Sequence, residues 1–210
     1  MNKEEIEKTY FTPSVETEKS YQEQVNKVLG DKNIQINTFI DMGKLPYVYN
    51  AIGISDKKLK TNKRAILKAI GKIGPNIHNV PRDIINNLIS CVYNPAAIFK
   101  SLSMSQNPNG YIAVFDADVN GNPIIAILSP SKIDNGYTFI PTIYGKDNFK
   151  RFMGETAKEN KILYIENVSS KLWGRLQLPP LHNQSSDYTI LTKTDIVNKL
   201  SEEKEPEIGI

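Results

Sequence analysis

Cysteine is almost absent: Cys91 is the single one among 210 residues. One thiol cannot form a disulfide within its own chain, and a structural zinc site built on cysteines is excluded, so the sequence reads as a protein folded in a reducing compartment. Histidine is nearly as scarce, with two, His78 and His182, far apart and neither with a second ligand at metal spacing. No apolar run is long enough to span a bilayer, and "MNKEEIEKTYFTPSVETEKSY" lacks the apolar centre of a secretory signal, so the expectation is a cytoplasmic protein with no membrane partner. Also missing are a glycine-rich phosphate loop ending in Lys-Ser/Thr, GxGxxG after a strand, HExxH, GxSxG and a paired-acid motif of a divalent-metal nuclease. "DADVNGNP" lacks the distal glutamate of a calcium loop and reads as a hairpin turn. No cofactor and no metal is expected.

What is present is an ordinary globular composition, 40% hydrophobic and 23% charged, enough to bury one sizeable core. The net charge of +3 conceals segregation. The first thirty residues and the tail "SEEKEPEIGI" are acidic, whereas every charged side chain from Lys57 to Arg82 is basic. That run reads either as a solvated lysine-rich face or as a phosphate-binding surface.

Three segments follow: an acidic arm and short helix over 1–32, one α+β domain over 33–200, and an acidic tail over 201–210. "SYQEQVNKVLGDK" reads as a helix stopped by Gly30, behind a charged, mobile arm, and "NIQINTFI" as a strand. "KLPYVYNAIGI" is the next helix. In "KRAILKAIGKIG", Ile66, Ile70 and Ile73 form the core stripe and Arg64, Lys68 and Lys72 an exposed basic one. Pro81 opens a helix, "PRDIINNLISCVYN", that Pro95 ends. Two Asn-Gly turns then divide residues 110–146 into a three-stranded antiparallel meander. "DNFKRFMGETAKEN" is a helix with Asp147 as its cap, "KILYIEN" a fourth strand, and two short helices close the chain. The predicted fold is therefore α+β: N-terminal helices, then a four-stranded antiparallel sheet with an inserted helix.

With metals and nucleotides set aside, the chemistry left is that of His, Lys, Arg and Tyr. RNA cleavage suits that set, because the attacking 2′-hydroxyl belongs to the substrate. The protein need only move a proton near neutral pH and hold the phosphorane charge. His78, beside the basic segment, reads as a structural loop histidine or as the general acid or base. Alternation along "TFIPTIYGK" places Thr138, Ile140, Thr142 and Tyr144 on one face and Phe139, Pro141 and Ile143 on the other. Thr142 and Tyr144 then present two hydroxyls, for a sheet rim or for a phosphate or base. His182 reads as solvated or as a second titrating group, and Trp173 as core or as a base-stacking platform.

The ordered set "LPYVYNAIG", "RAILKAIGK", "HNVPRDIINNLISCVYNPAAIFKS", "NPIIAIL", "PTIYGKDN", "ILYIEN" and "LQLP" resembles the phage MuF-type C-terminal domain over roughly residues 35–195. That family is grouped with the barnase, EndoU, colicin and RelE-like nucleases. The resemblance implies helices before a four-stranded antiparallel sheet and a toxin's activity. It also implies matching polar positions at Lys68, His78, Thr142, Tyr144 and Gln177, with Thr142 where family members often carry serine. The sequence departs from the pattern by lacking the large head-morphogenesis region, so the expectation is either a freestanding member or an excised domain.

Together these imply a phage-encoded toxin domain acting in the host cytoplasm as a metal-independent endoribonuclease. His78 would be its acid or base, Lys68 its phosphate stabiliser, and Thr142 and Tyr144 would hold phosphate or base. Arg64, Lys72, Lys146 and Gln177 would bind substrate. RNA, tRNA included, would be the target, and an immunity or antitoxin protein the partner. The alternatives are a non-catalytic phage accessory or interaction domain and a transferase acting on tRNA or protein.

Overall fold

The computed structural model describes residues 2–74, 78–101, 109–131, 136–166 and 189–202. Two helices come first, α1 (Lys3–Tyr10) and α2 (Val15–Gly30). Asn2 and Glu5 close a reciprocal capping box on α1, and Ser14 caps α2. The expected mobile arm is thus an ordered helix here, with Ile6 and Phe11 buried in the core. On α2, Tyr21, Val25 and Val28 recur at helical spacing and face inward. The Tyr21 hydroxyl donates to the Ile85 carbonyl at 2.9 Å and so fastens this helix to the middle of the chain.

Strand β1 (Phe39–Lys44), helix α3 (Tyr47–Ala51), strand β2 (Lys58–Asn62) and helix α4 (Lys63–Ala69) follow. The expected single helix from Pro81 is two, α5 (Arg82–Asn86) and α6 (Leu88–Tyr93). Then come β3 (Ala97–Lys100), β4 (Tyr111–Val119), β5 (Asn122–Ser129), β6 (Tyr137–Gly145), α7 (Phe149–Lys158), β7 (Ile162–Ile165), β8 (Leu191–Thr192) and α8 (Lys193–Glu202). Asn148, in a left-handed conformation, precedes α7 without a side-chain cap, in place of the expected Asp147 cap. Thr192 caps α8: its hydroxyl accepts from the Asp195 amide while the Asp195 carboxylate accepts from Thr192.

The α+β class stands, but the sheet is larger than four antiparallel strands. Eight strands lie in the order β1-β2-β6-β5-β4-β3-β7-β8, with β2 parallel to β6, β7 parallel to β8 and the other pairs antiparallel. The expected meander is its centre, β4-β5-β6, turned at one end by Asn120 and Gly121, both at positive φ. The expected fourth strand, β7, pairs with β3 instead of the meander. The additional strands are short, and β2 and β3 each have one partner remote in sequence, β6 and β7. The strand expected over 33–40 begins only at Phe39 and runs on to Lys44 as β1.

Each face of the sheet carries a core. On one side Ile40, Leu59, Ile66, Ile85, Leu88, Ala113, Phe115, Ile140 and Ile143 pack with the helices. On the other, Phe149, Phe152 and Met153 of α7 cover Phe99, Val114, Ile125 and Ile162. Cys91 is half-buried on α6, and burial pushes its thiol up to about 11, so it stays protonated.

Candidate functional site

Helix α4 stands beside β6 because β2 runs directly into it. Residues 58–60 of β2 pair with 137–139 of β6, and Asn62 then caps α4 by accepting the Ala65 amide at 2.9 Å. Lys63, only 5% exposed, donates to the Asp31 and Ile34 carbonyls at 2.8 and 2.9 Å, so this lysine of the basic run is a structural tie. Ile66 and Ala69 are fully buried. The helix ends in paired backbone bonds, Gly71 to Lys68 and Lys72 to Leu67, with Gly71 at φ 74°. That C-terminal motif needs a residue in the left-handed region, which glycine adopts without steric cost. The predicted helix through Lys72 is therefore cut short, and Arg64, Lys68 and Lys72 do not form one stripe.

His78 is set by the return of the chain. Asn79 sits at φ 48°, and the Val80 amide donates to the Ala69 carbonyl at 2.8 Å, pinning the loop to the end of α4. The imidazole lies against the Tyr144 ring, centroids 5.2 Å apart and planes inclined by 32°. Partial burial, and secondarily the positive charge of Lys68, hold its pKa below the usual histidine value. The imidazole is thus neutral at neutral pH. Burial, then the carboxylate of Asp147, push the Tyr144 phenol above its usual value, so it keeps its proton.

The faces of β6 differ from simple alternation. Between the pairs Ser129–Phe139 and Ile127–Thr142, β6 holds one residue more than β5, a bulge that contains Pro141. Proline has no amide hydrogen to give a ladder and is tolerated at such a site. The extra residue reverses the parity. Thr138, Ile140 and Ile143 face the helix-side core, whereas Tyr137, Phe139, Thr142 and Tyr144 share the opposite face.

The sequence-predicted residues separate accordingly. His78 and Tyr144 touch, and Lys68 is close enough to shift the imidazole. Thr142, half-buried, lies on the Tyr144 face, opposite Ile127. Arg64 points elsewhere, its Nε donating to Asn37 Oδ1 at 3.2 Å. Lys72 is exposed beyond the helix end. Lys146 follows Tyr144 by two residues, but its ammonium lies 5.5 Å from the centre of the Phe152 ring. Gln177, His182 and Trp173 lie outside the described residues, as does the first of the two predicted C-terminal helices.

Two features escaped the sequence reading. Asp147 and Asn122, bonded to each other at 2.8 Å, lie at the Tyr144 end of β6. At its other end Phe39, Tyr137 and Phe139 form an aromatic group with Lys60. The alternation of Tyr137 and Phe139 was the available signal for the second. Among the described residues no group of three His, Cys, Asp or Glu side chains could hold a metal ion, and no helix is long and apolar enough to cross a membrane.

A neutral imidazole thus meets a protonated phenol at the flank of β6, within reach of the charge of Lys68. Neither the curated proteins nor the solved structures contain a match. Residues 69–171, a shorter stretch than the resemblance covered, match the family described as the phage MuF-C-terminal domain; this segment of the chain, from the end of α4 past β7, is similar to that family.

Proposed function

We propose that the chain is a metal-independent endoribonuclease, of the phage toxin kind with barnase-, EndoU-, colicin- and RelE-like relatives. The observation that carries the reading is the contact of His78 with Tyr144 beside Lys68. An imidazole kept neutral at neutral pH is suited to act as a base. It takes the proton of the 2′-hydroxyl, and the 2′-oxygen attacks the adjacent phosphorus. The bond from phosphorus to the 5′-oxygen breaks, and the leaving oxygen takes a proton from water. The products are a 2′,3′-cyclic phosphate and a free 5′-hydroxyl. Lys68 supplies positive charge to the phosphorane, and the Tyr144 O–H, which retains its proton, donates a hydrogen bond to a phosphate oxygen. Thr142, on the same face, offers a second hydroxyl.

Purified protein incubated with RNA in EDTA should cut it and leave cyclic phosphate ends. His78→Ala should lower the rate by about 10²–10⁴-fold, the usual contribution of a positioned acid or base. RNA left intact across many substrates would overturn the proposal and favour a non-catalytic interaction domain.

A further inference from the structure

The face of β6 that carries Tyr144 continues, past Thr142 and the bulge, to Phe139 and Tyr137. There the neighbouring strands add to it, because Lys60 pairs with Phe139 and Lys58 with Tyr137 across the parallel ladder, while Phe39 lies on β1 beside Asn62. Phe39 meets Tyr137 and Phe139 edge to face, centroids 5.6 and 5.8 Å apart. Lys60 Nζ lies 4.7 Å from the Tyr137 ring centre and 5.6 Å from that of Phe39. Helix α7 packs over β3, β4, β5 and β7 and leaves this part uncovered, with Phe39 49% and Tyr137 36% exposed. The two are large rings at the surface of a sheet whose other apolar positions are covered. Phe39 is also a wall of a groove of about 400 Å³ with Lys27, Gln24 and Gln35.

Exposed rings interleaved with lysines are the arrangement that stacks bases while cations follow the phosphates. Lys58, Lys60 and Lys27 supply the positive charge, and Asp41, opposite Lys60, is the acid on the neighbouring strand. From Phe139 to Tyr144 the strand rises on the order of 15 Å, the reach of a short extended run of nucleotides.

We infer that Phe39 and Tyr137, with Lys60 between them, form a base-stacking subsite for single-stranded RNA that leads the strand along β6 to His78. This rests on the reading of the chain as an enzyme acting on RNA. A single strand is specified because only unpaired bases expose their faces to side-chain rings.

The test measures binding of fluorescein-labelled 2′-O-methyl oligouridylate, which has no free 2′-hydroxyl and cannot be cleaved. Phe39→Leu and Tyr137→Leu keep apolar bulk but remove the ring, and each should weaken binding by about 5- to 150-fold. Phe39→Trp and Tyr137→Phe should restore it, and the same oligonucleotide annealed to its complement should bind more weakly. Unchanged binding in both leucine variants overturns the inference. So does a wild-type dimer, seen by sedimentation, that the leucine variants dissociate without altering RNA binding. Because the probe is not cut, the result is independent of catalysis. Ring-dependent binding by a protein that cleaves no RNA sinks the nuclease reading alone, and cleavage that depends on His78 but not on the rings sinks the subsite alone.

Discussion

The two faces of the sheet are built on different terms. The helix side is closed: α1 to α6 and α8 contribute to one apolar core in which Ile66, Leu88, Ile140 and Tyr49 are fully buried. The opposite side is closed over β3, β4, β5 and β7, where α7 lies, and it leaves β6, β2 and β1 with half-buried polar groups and exposed rings. A sheet needs one well-covered face to be stable, and a single open area is then free to carry chemistry. Every member of the proposed site lies at the open flank of β6 or against it.

This contrast predicts different consequences for substitutions on the two sides. The largest effect belongs to the closed side: Ile66→Ala leaves a cavity in a dry core and should cost about 2–5 kcal/mol of stability. Thermal unfolding should show a fall of about 2–4 °C for each kcal/mol in a chain of this size. Retention of the wild-type melting temperature would mean that the α4 contact is not the support described.

A smaller, more diagnostic effect is expected at Lys68. Its positive charge disfavours the imidazolium of His78, so Lys68→Met should raise the histidine pKa while burial continues to hold it down. The base must be neutral to act. The rate should therefore rise with pH through the histidine pKa, and in the variant this rising limb should move to higher pH. Activity at pH 6 should fall relative to pH 8, and an unmoved limb would separate Lys68 from His78. Smallest of all should be Arg64→Gln, whose side chain is exposed and turned to Asn37. Stability should change by no more than about 0.5 kcal/mol, and cleavage should be nearly unaffected. A large loss of activity there would restore the continuous basic stripe read from the sequence.

Local patterns foretold much of this molecule. The end of α2 at Gly30, the Asn-Gly hairpin, the three central strands, α7 and β7 are all written in short-range signals of periodicity and turn chemistry, whereas the first turn of α2, from Val15, lies in the segment read as a mobile arm. Less legible were β2 and β3, where four or five residues form strands that are each held on one side by a partner remote in sequence, β6 and β7. In the site, His78 and Tyr144 could be singled out by residue type; the alternation of Tyr137 and Phe139 signalled part of the aromatic group, but not its union with Phe39, which lies on a strand separated from theirs by most of the helical region.

The amino-acid sequence by itself determined the residue chemistry and the local elements: one thiol, two histidines, a basic run before the first of them, and hydroxyls near the end of a strand. Only the tertiary structure decided which of these meet. Gly71 ends α4 early and disperses the lysines, and the bulge at Pro141 turns Thr142 and Tyr144 away from the helix-side core and onto the face of Phe139. Side-chain parity along a strand has a period of two, so one extra residue reverses the face of every residue beyond it. Pro141 marks an irregular position within β6, but only the pairing with β5 shows that the irregularity is an inserted residue that reverses the parity.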